Sequence, residues 1–201
     1  MNIVRCLAGF CAGCLMLTTI SLAAQNKYFP PSAFGDQKNG QEWIALYSKY
    51  LESFREPTLS GISNRGFTSS YRFLWLRSFH KPVSVRLDIR SDGTGIVTIK
   101  VGAKPGVSSG GGTILTTTKT LTKQNVDSFR DRIESDGFWK LPSQVEPVSG
   151  PDGARWILEG SKGGEYHVVH RWAPKDGAVR TLCLYLAMDL GGMKLSDDEI
   201  Y

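Results

Sequence analysis

Imidazole, carboxylate, guanidinium and indole groups crowd into one stretch of the chain, where Arg155, Trp156, Glu159, Tyr166, His167, His170, Arg171 and Trp172 follow closely on one another. Proton transfer at neutral pH suits imidazole. One expectation is therefore a small periplasmic hydrolase or transferase in which His167 or His170 is the acid/base group and Glu159 orients it. A shared metal ion is a poorer use of the same residues. Side chains three apart on a strand point to opposite faces, so His167 and His170 do not face one ion, and neither a metal nor a cofactor is expected. Gly106-Val107-Ser108-Ser109-Gly110 has the spacing of a serine nucleophile elbow. That motif needs a strand before it and a helix after it, whereas here a strand-like run follows.

The leading expectation is non-catalytic binding. Trp75, Arg77, Arg86, Arg155, Trp156, Glu159, Tyr166, His167, Arg171 and Trp172 put charges among aromatics on strand-like segments. On a shared face, Arg reads a carboxylate or phosphate and Trp supplies stacking area, and these residue types dominate binding hot spots. The occupant is expected to be a small ligand or an envelope protein. The plainer use of such a face is mutual stabilisation through cross-strand ion pairs and cation–π contacts.

The elements that must position these groups are legible from periodicity. Trp43, Tyr47, Tyr50, Leu51 and Phe54 recur at helical spacing, predicting a helix over 41–55 that Pro57 stops. Alternation over 71–79 and 83–89 predicts two strands, the second with a wet face of Ser84, Arg86 and Asp88. Asp92-Gly93 and Gly95 then turn the chain into a strand over 96–101. A β-branched run at 113–120 reads as another strand. Thr122 is placed to cap a helix with Val126, Phe129 and Ile133 on its inner side, ended by Gly137. Residues 155–160 and 165–172 form a second hairpin. A final helix over 176–190 carries the stripe Val179, Leu182, Cys183, Leu186 and Leu190, with Asp176 at its cap. Strands joined by tight turns are antiparallel. The expected class is α+β, a mostly antiparallel sheet of about five or six strands with helices packed on one face.

Residues 1–24 read as a cleavable export signal: one charge at Arg5, an apolar run from Cys6 to Ile20, and small residues at Ala23 and Ala24, either of which suits cleavage. A periplasmic or secreted location follows. Cys11-Ala12-Gly13-Cys14 offers the alternative of a lipoprotein anchored at Cys14, so a membrane enters only through that lipid or an uncleaved signal. Residues 25–40, with Pro30-Pro31, read as an extended N-terminal arm, and 41–201 as a single α+β domain. Cleavage leaves Cys183 as the one remaining cysteine, which excludes an internal disulfide scaffold. Cys183 itself reads as a buried small hydrophobe. Without Arg5, 23 Lys and Arg face 19 Asp and Glu in scattered positions. That mild excess carries no basic stripe for nucleic acid.

At Tyr71–Arg77 (YRFLWLR), Gly137–Pro142 (GFWKLP) and Asp152–Gly160 (DGARWILEG) followed by Tyr166–Pro174 (YHVVHRWAP), the chain resembles a group of uncharacterised exported bacterial proteins. The resemblance implies a bacterial envelope setting and assigns no reaction and no catalytic residue.

Overall fold

The computed structural model describes residues 28–35, 38–60, 66–102, 114–145 and 149–201. The export signal with Cys14, and the Gly106–Gly110 motif, lie outside the described residues.

Six strands form one antiparallel sheet: β1 (Ser69–Arg77), β2 (Val83–Ile89), β3 (Gly95–Val101), β4 (Leu115–Leu121), β5 (Ala154–Lys162) and β6 (Glu165–Trp172). Their order is β4-β3-β2-β1-β5-β6. The expected α+β class and antiparallel sheet are present. Every neighbour along the chain is a hairpin partner except β4 and β5, whose connection carries the chain back to the free side of β1. That return makes β1 central and sets Arg72 opposite both Arg86 and Glu159.

One face carries Tyr71, Phe73 and Trp75 of β1, Val83, Val85, Leu87 and Ile89 of β2, and Trp156, Leu158 and Val169 of the second hairpin. Two helices make the expected helical layer against it: α2 (Lys123–Ser135) and α3 (Gly177–Leu184). Thr122 caps α2 reciprocally with Asn125, accepting from its backbone N–H while the Asn125 side chain accepts from the Thr122 N–H. Val126, Phe129 and Ile133 are fully buried, and Gly137 follows at φ 65°, a left-handed conformation glycine adopts without strain. The chain of α3 continues through one π-helical segment, Tyr185–Leu190, that keeps Leu186, Ala187 and Leu190 on the sheet. Asp176 stands at the cap position of α3, but its side chain makes no capping hydrogen bond.

The opposite face is covered as well. Helix α1 (Lys38–Ser53) lays Ile44, Tyr47 and Leu51 on Leu74, Leu76, Ile157 and Val168, the alternate positions of the same strands. Phe54 completes the stripe just past the helix end. The segment 28–35, expected as an extended arm, folds onto this layer and buries Tyr28, Phe29, Ala33 and Phe34. Phe34 meets Tyr47 edge-on at 5.4 Å and Phe29 at 5.5 Å. Aromatic groups in such numbers bury too much surface to remain in water. With both faces covered, β1 and β2 are buried along their whole length, and the expected wet face of β2 lies under residues 54–60.

Candidate functional site

The charged residues of the covered face pair with one another. Arg72 Nη2 lies 2.6 and 2.8 Å from the two Glu159 oxygens, and its Nε donates to Oε1 at 2.9 Å. Tyr166 donates its hydroxyl to the same carboxylate at 3.0 Å. Glu56, from the loop after α1, contacts Arg72 at 3.7 Å, Arg86 through a short bond, and Lys100 at 2.9 Å. Arg86 Nε donates to Asp88 at 2.8 Å, and Ser70 donates to Asp88 at 2.7 Å. Three cations thus meet three carboxylates under the loop. Burial alone would raise Glu56, but Arg72, Arg86 and Lys100 together hold it below the usual carboxylate range. Burial pushes Glu159 up, and Arg72 and Tyr166 pull it only part of the way back. A carboxylate accepting a forked guanidinium and a phenol has no lone pair left to orient an imidazole.

The two histidines occupy opposite faces, as their spacing requires. His167 donates Nε2–H to the Leu141 carbonyl at 2.9 Å and packs edge-on against Phe138 at 5.2 Å. His170 is 1 % exposed beneath α1, with Nε2 3.4 Å from the Tyr47 hydroxyl and with Phe34, Trp43 and Tyr47 rings around it. Burial, then Arg155 and Arg171, push its pKa down to about 3. It is neutral over the ordinary pH range. The Glu159–histidine acid/base constellation is therefore not assembled: Glu159 bonds Arg72 and Tyr166, and each histidine bonds a different group. Cys183 is a fully buried thiol, as its place on the α3 stripe implies.

The ten residues singled out from sequence divide between the two faces. Trp75, Arg77, Trp156, His167 and Arg171 lie on the side of α2 and α3, while Arg86, Arg155, Glu159, Tyr166 and Trp172 lie on the side of α1. Trp75 and Trp156 are completely buried, 4.9 Å apart. Trp156 Nε1 donates to the Tyr201 carbonyl, and Arg77 lies 4.3 Å over the Trp75 ring with Glu199 3.6 Å away. These five residues hold the core and the C-terminal segment together.

Arg155, Arg171 and Trp172 are different, because they lie where β6 ends, Arg155 and Trp172 on the α1 side and Arg171 on the other. Arg155 and Trp172 are cross-strand partners, and the Arg155 guanidinium stands 5.1 Å from the Trp172 ring and 4.7 Å from Trp43. Arg155 Nε, Trp43 Nε1 and His170 Nδ1 are buried without a hydrogen-bond partner among the described residues, an uncommon concentration of unsatisfied polar atoms in one small volume. Trp172 also forms a wall of an open groove of about 630 Å³, lined by Val145 and by the run from Arg171 to Asp176. A smaller recess of about 90 Å³ adjoins it, between Leu141, Arg171 and the start of α3. Ala173, one of the lining residues, holds φ 39°, a left-handed conformation that costs a residue with a Cβ of order 1 kcal/mol or more. Arg171 donates to the carbonyls of Pro142 and His170, so its charge faces no carboxylate among the described residues. Arg171 and Trp172 were legible as candidates; Lys175, Ala173 and Val145 were not, since a run after a strand end carries no periodic signal. No protein-family model matches the chain, and no curated protein matches it.

Proposed function

We propose that this chain is an exported bacterial envelope protein that binds a ligand or a partner protein, without catalysis, through the groove at the end of β6. The single observation that carries the reading is the groove's lining: a half-buried arginine, Arg171, and a half-buried tryptophan, Trp172, followed directly by the strained Ala173, with exposed Lys175 also on the lining. Arg offers a planar fork to a carboxylate or phosphate, and Trp offers a flat apolar surface beside it. A volume of about 630 Å³ falls in the range of small-ligand pockets, and a side chain of a partner protein fits as well. The strain at Ala173 supports the reading, because such conformations persist where a site needs them. Support for the envelope setting comes from residues 1–24 and from a chain that keeps one cysteine beyond them.

The test is photo-crosslinking in the bacterial envelope from a probe at position 175, compared with one at position 162. Lys162 closes the hairpin at the other end of β6. Crosslinks from 175 that are absent from 162, and that disappear when Arg171 is changed to Gln, are the expected result. Equal crosslinking from both positions, unaffected by R171Q, would count against the groove.

A further inference from the structure

The two edges of the sheet are treated differently. At β6 the outer side is bracketed by the segment after α2, where the His170 N–H donates to the Ser143 carbonyl at 2.7 Å and Arg171 reaches the Pro142 carbonyl. At β4, residues 115 to 120 are all exposed, and Leu115 is 61 % exposed. An exposed edge presents unpaired N–H and C=O groups, and proteins ordinarily blunt it with proline, a bulge or inward-pointing charge. The strand Leu-Thr-Thr-Thr-Lys-Thr-Leu has no proline and no glycine. Its one charge, Lys119, is drawn aside, donating to the Leu190 carbonyl at 3.0 Å where the π-helical segment ends.

The order of residue types in β4 is nearly the same read in either direction about Thr118. An antiparallel pair formed by two copies around a two-fold axis at Thr118 sets Leu115 against Leu121, Thr116 against Thr120, Thr117 against Lys119, and Thr118 against its own mate. Threonine pairs are favourable cross-strand neighbours, and in this register no lysine stands directly opposite another. A two-fold interface requires this kind of self-complementarity. We propose that β4 is a homodimerisation edge: two copies of this chain join their sheets by antiparallel pairing of Leu115–Leu121, giving one continuous sheet across the dimer. The groove at β6 lies at the other edge of each sheet, so pairing leaves both grooves open.

Two measurements on the purified full-length chain test this. Sedimentation across a concentration series is expected to show a species of twice the monomer mass, and T116K with T118K to return it to monomer with an unchanged circular dichroism spectrum, since both positions are exposed. In the second, Thr118→Cys is treated with a short bifunctional thiol reagent. Residue 118 faces its mate at about 5 Å between Cβ atoms, whereas residue 116 stands about 13 Å along the strand from its own mate. T118C is expected to crosslink to dimer beyond the level of the parent chain, and T116C to remain at that level. A monomer at every concentration, or equal crosslinking from 116 and 118, overturns the proposal.

Discussion

Arg72 and Arg86 are direct cross-strand neighbours in the interior, and two guanidinium groups at that spacing repel. Glu56 resolves the conflict by lying against both, and Glu159 completes Arg72 from the other side. Removing the shared partner takes one buried carboxylate from three cations, leaving Arg72 with Glu159 alone, Arg86 with Asp88 alone and Lys100 with backbone carbonyls. Glu56→Gln is accordingly expected to lower stability by roughly 3–5 kcal/mol, read from a urea midpoint shift. Replacing Arg72 and Glu159 together by Met and Leu is expected to cost much less than either single change, and a double-mutant cycle measures the difference. Arg86, Glu159 and Tyr166 were recognisable in the sequence as charged or polar groups on strands. Glu56, Arg72 and Lys100 were not, because Glu56 sits in a loop without periodicity and the pairing of β1 with β5 spans a long stretch of chain. His170 gives a pH signature of opposite kind to a surface histidine. Its folded pKa is depressed to about 3, so the unfolded chain takes up a proton first. Its contribution is fully present above about pH 6.5 and is lost as pH falls from there toward 3, up to roughly 5 kcal/mol. Chemical denaturation at pH 7 and pH 5 is expected to show this loss in the parent chain and a flatter profile in His170→Phe.

Between elements, close packing replaces charge as the constraint. Gly160 in β5 lies where a Cβ would come within 2.6 Å of the Phe138 ring and 3.1 Å of Tyr71, so Gly160→Ala is expected to cost about 1–3 kcal/mol from overpacking. The hairpins, the Thr122 cap and the stripes of α2 and α3 were legible because each is set by local spacing. The second layer, α1 with residues 28–35, was less so. An aromatic-rich segment carrying two prolines reads as an arm until the surface that receives it is known, and that surface exists only once β1, β5 and β6 are paired. The layer is nonetheless integral to the fold. Phe34→Ala, which removes a buried ring that contacts Phe29, Tyr47 and His170, is expected to lower stability by about 3–5 kcal/mol and to quicken exchange of the α1 amides.

For the molecule as a whole, both faces of the sheet are spent on the core, and what remains for recognition is its periphery. The buried ion pairs and the tilted Trp75–Trp156 contact account for most of the charged and aromatic residues that looked available from sequence. At the end of β6, an arginine and a tryptophan, Arg171 and Trp172, line an open groove together. The direct test is a two-dimensional amide and indole NMR titration with a panel of carboxylates, phosphates and acidic peptides, assigning the Trp172 indole with Trp172→Phe. If the groove is the binding site, a binding member of the panel shifts the Trp172 indole and the backbone amides within 171–176, saturably, and Arg171→Gln weakens the effect about tenfold or more. Saturable shifts confined to other parts of the surface, with 171–176 unmoved, would contradict it.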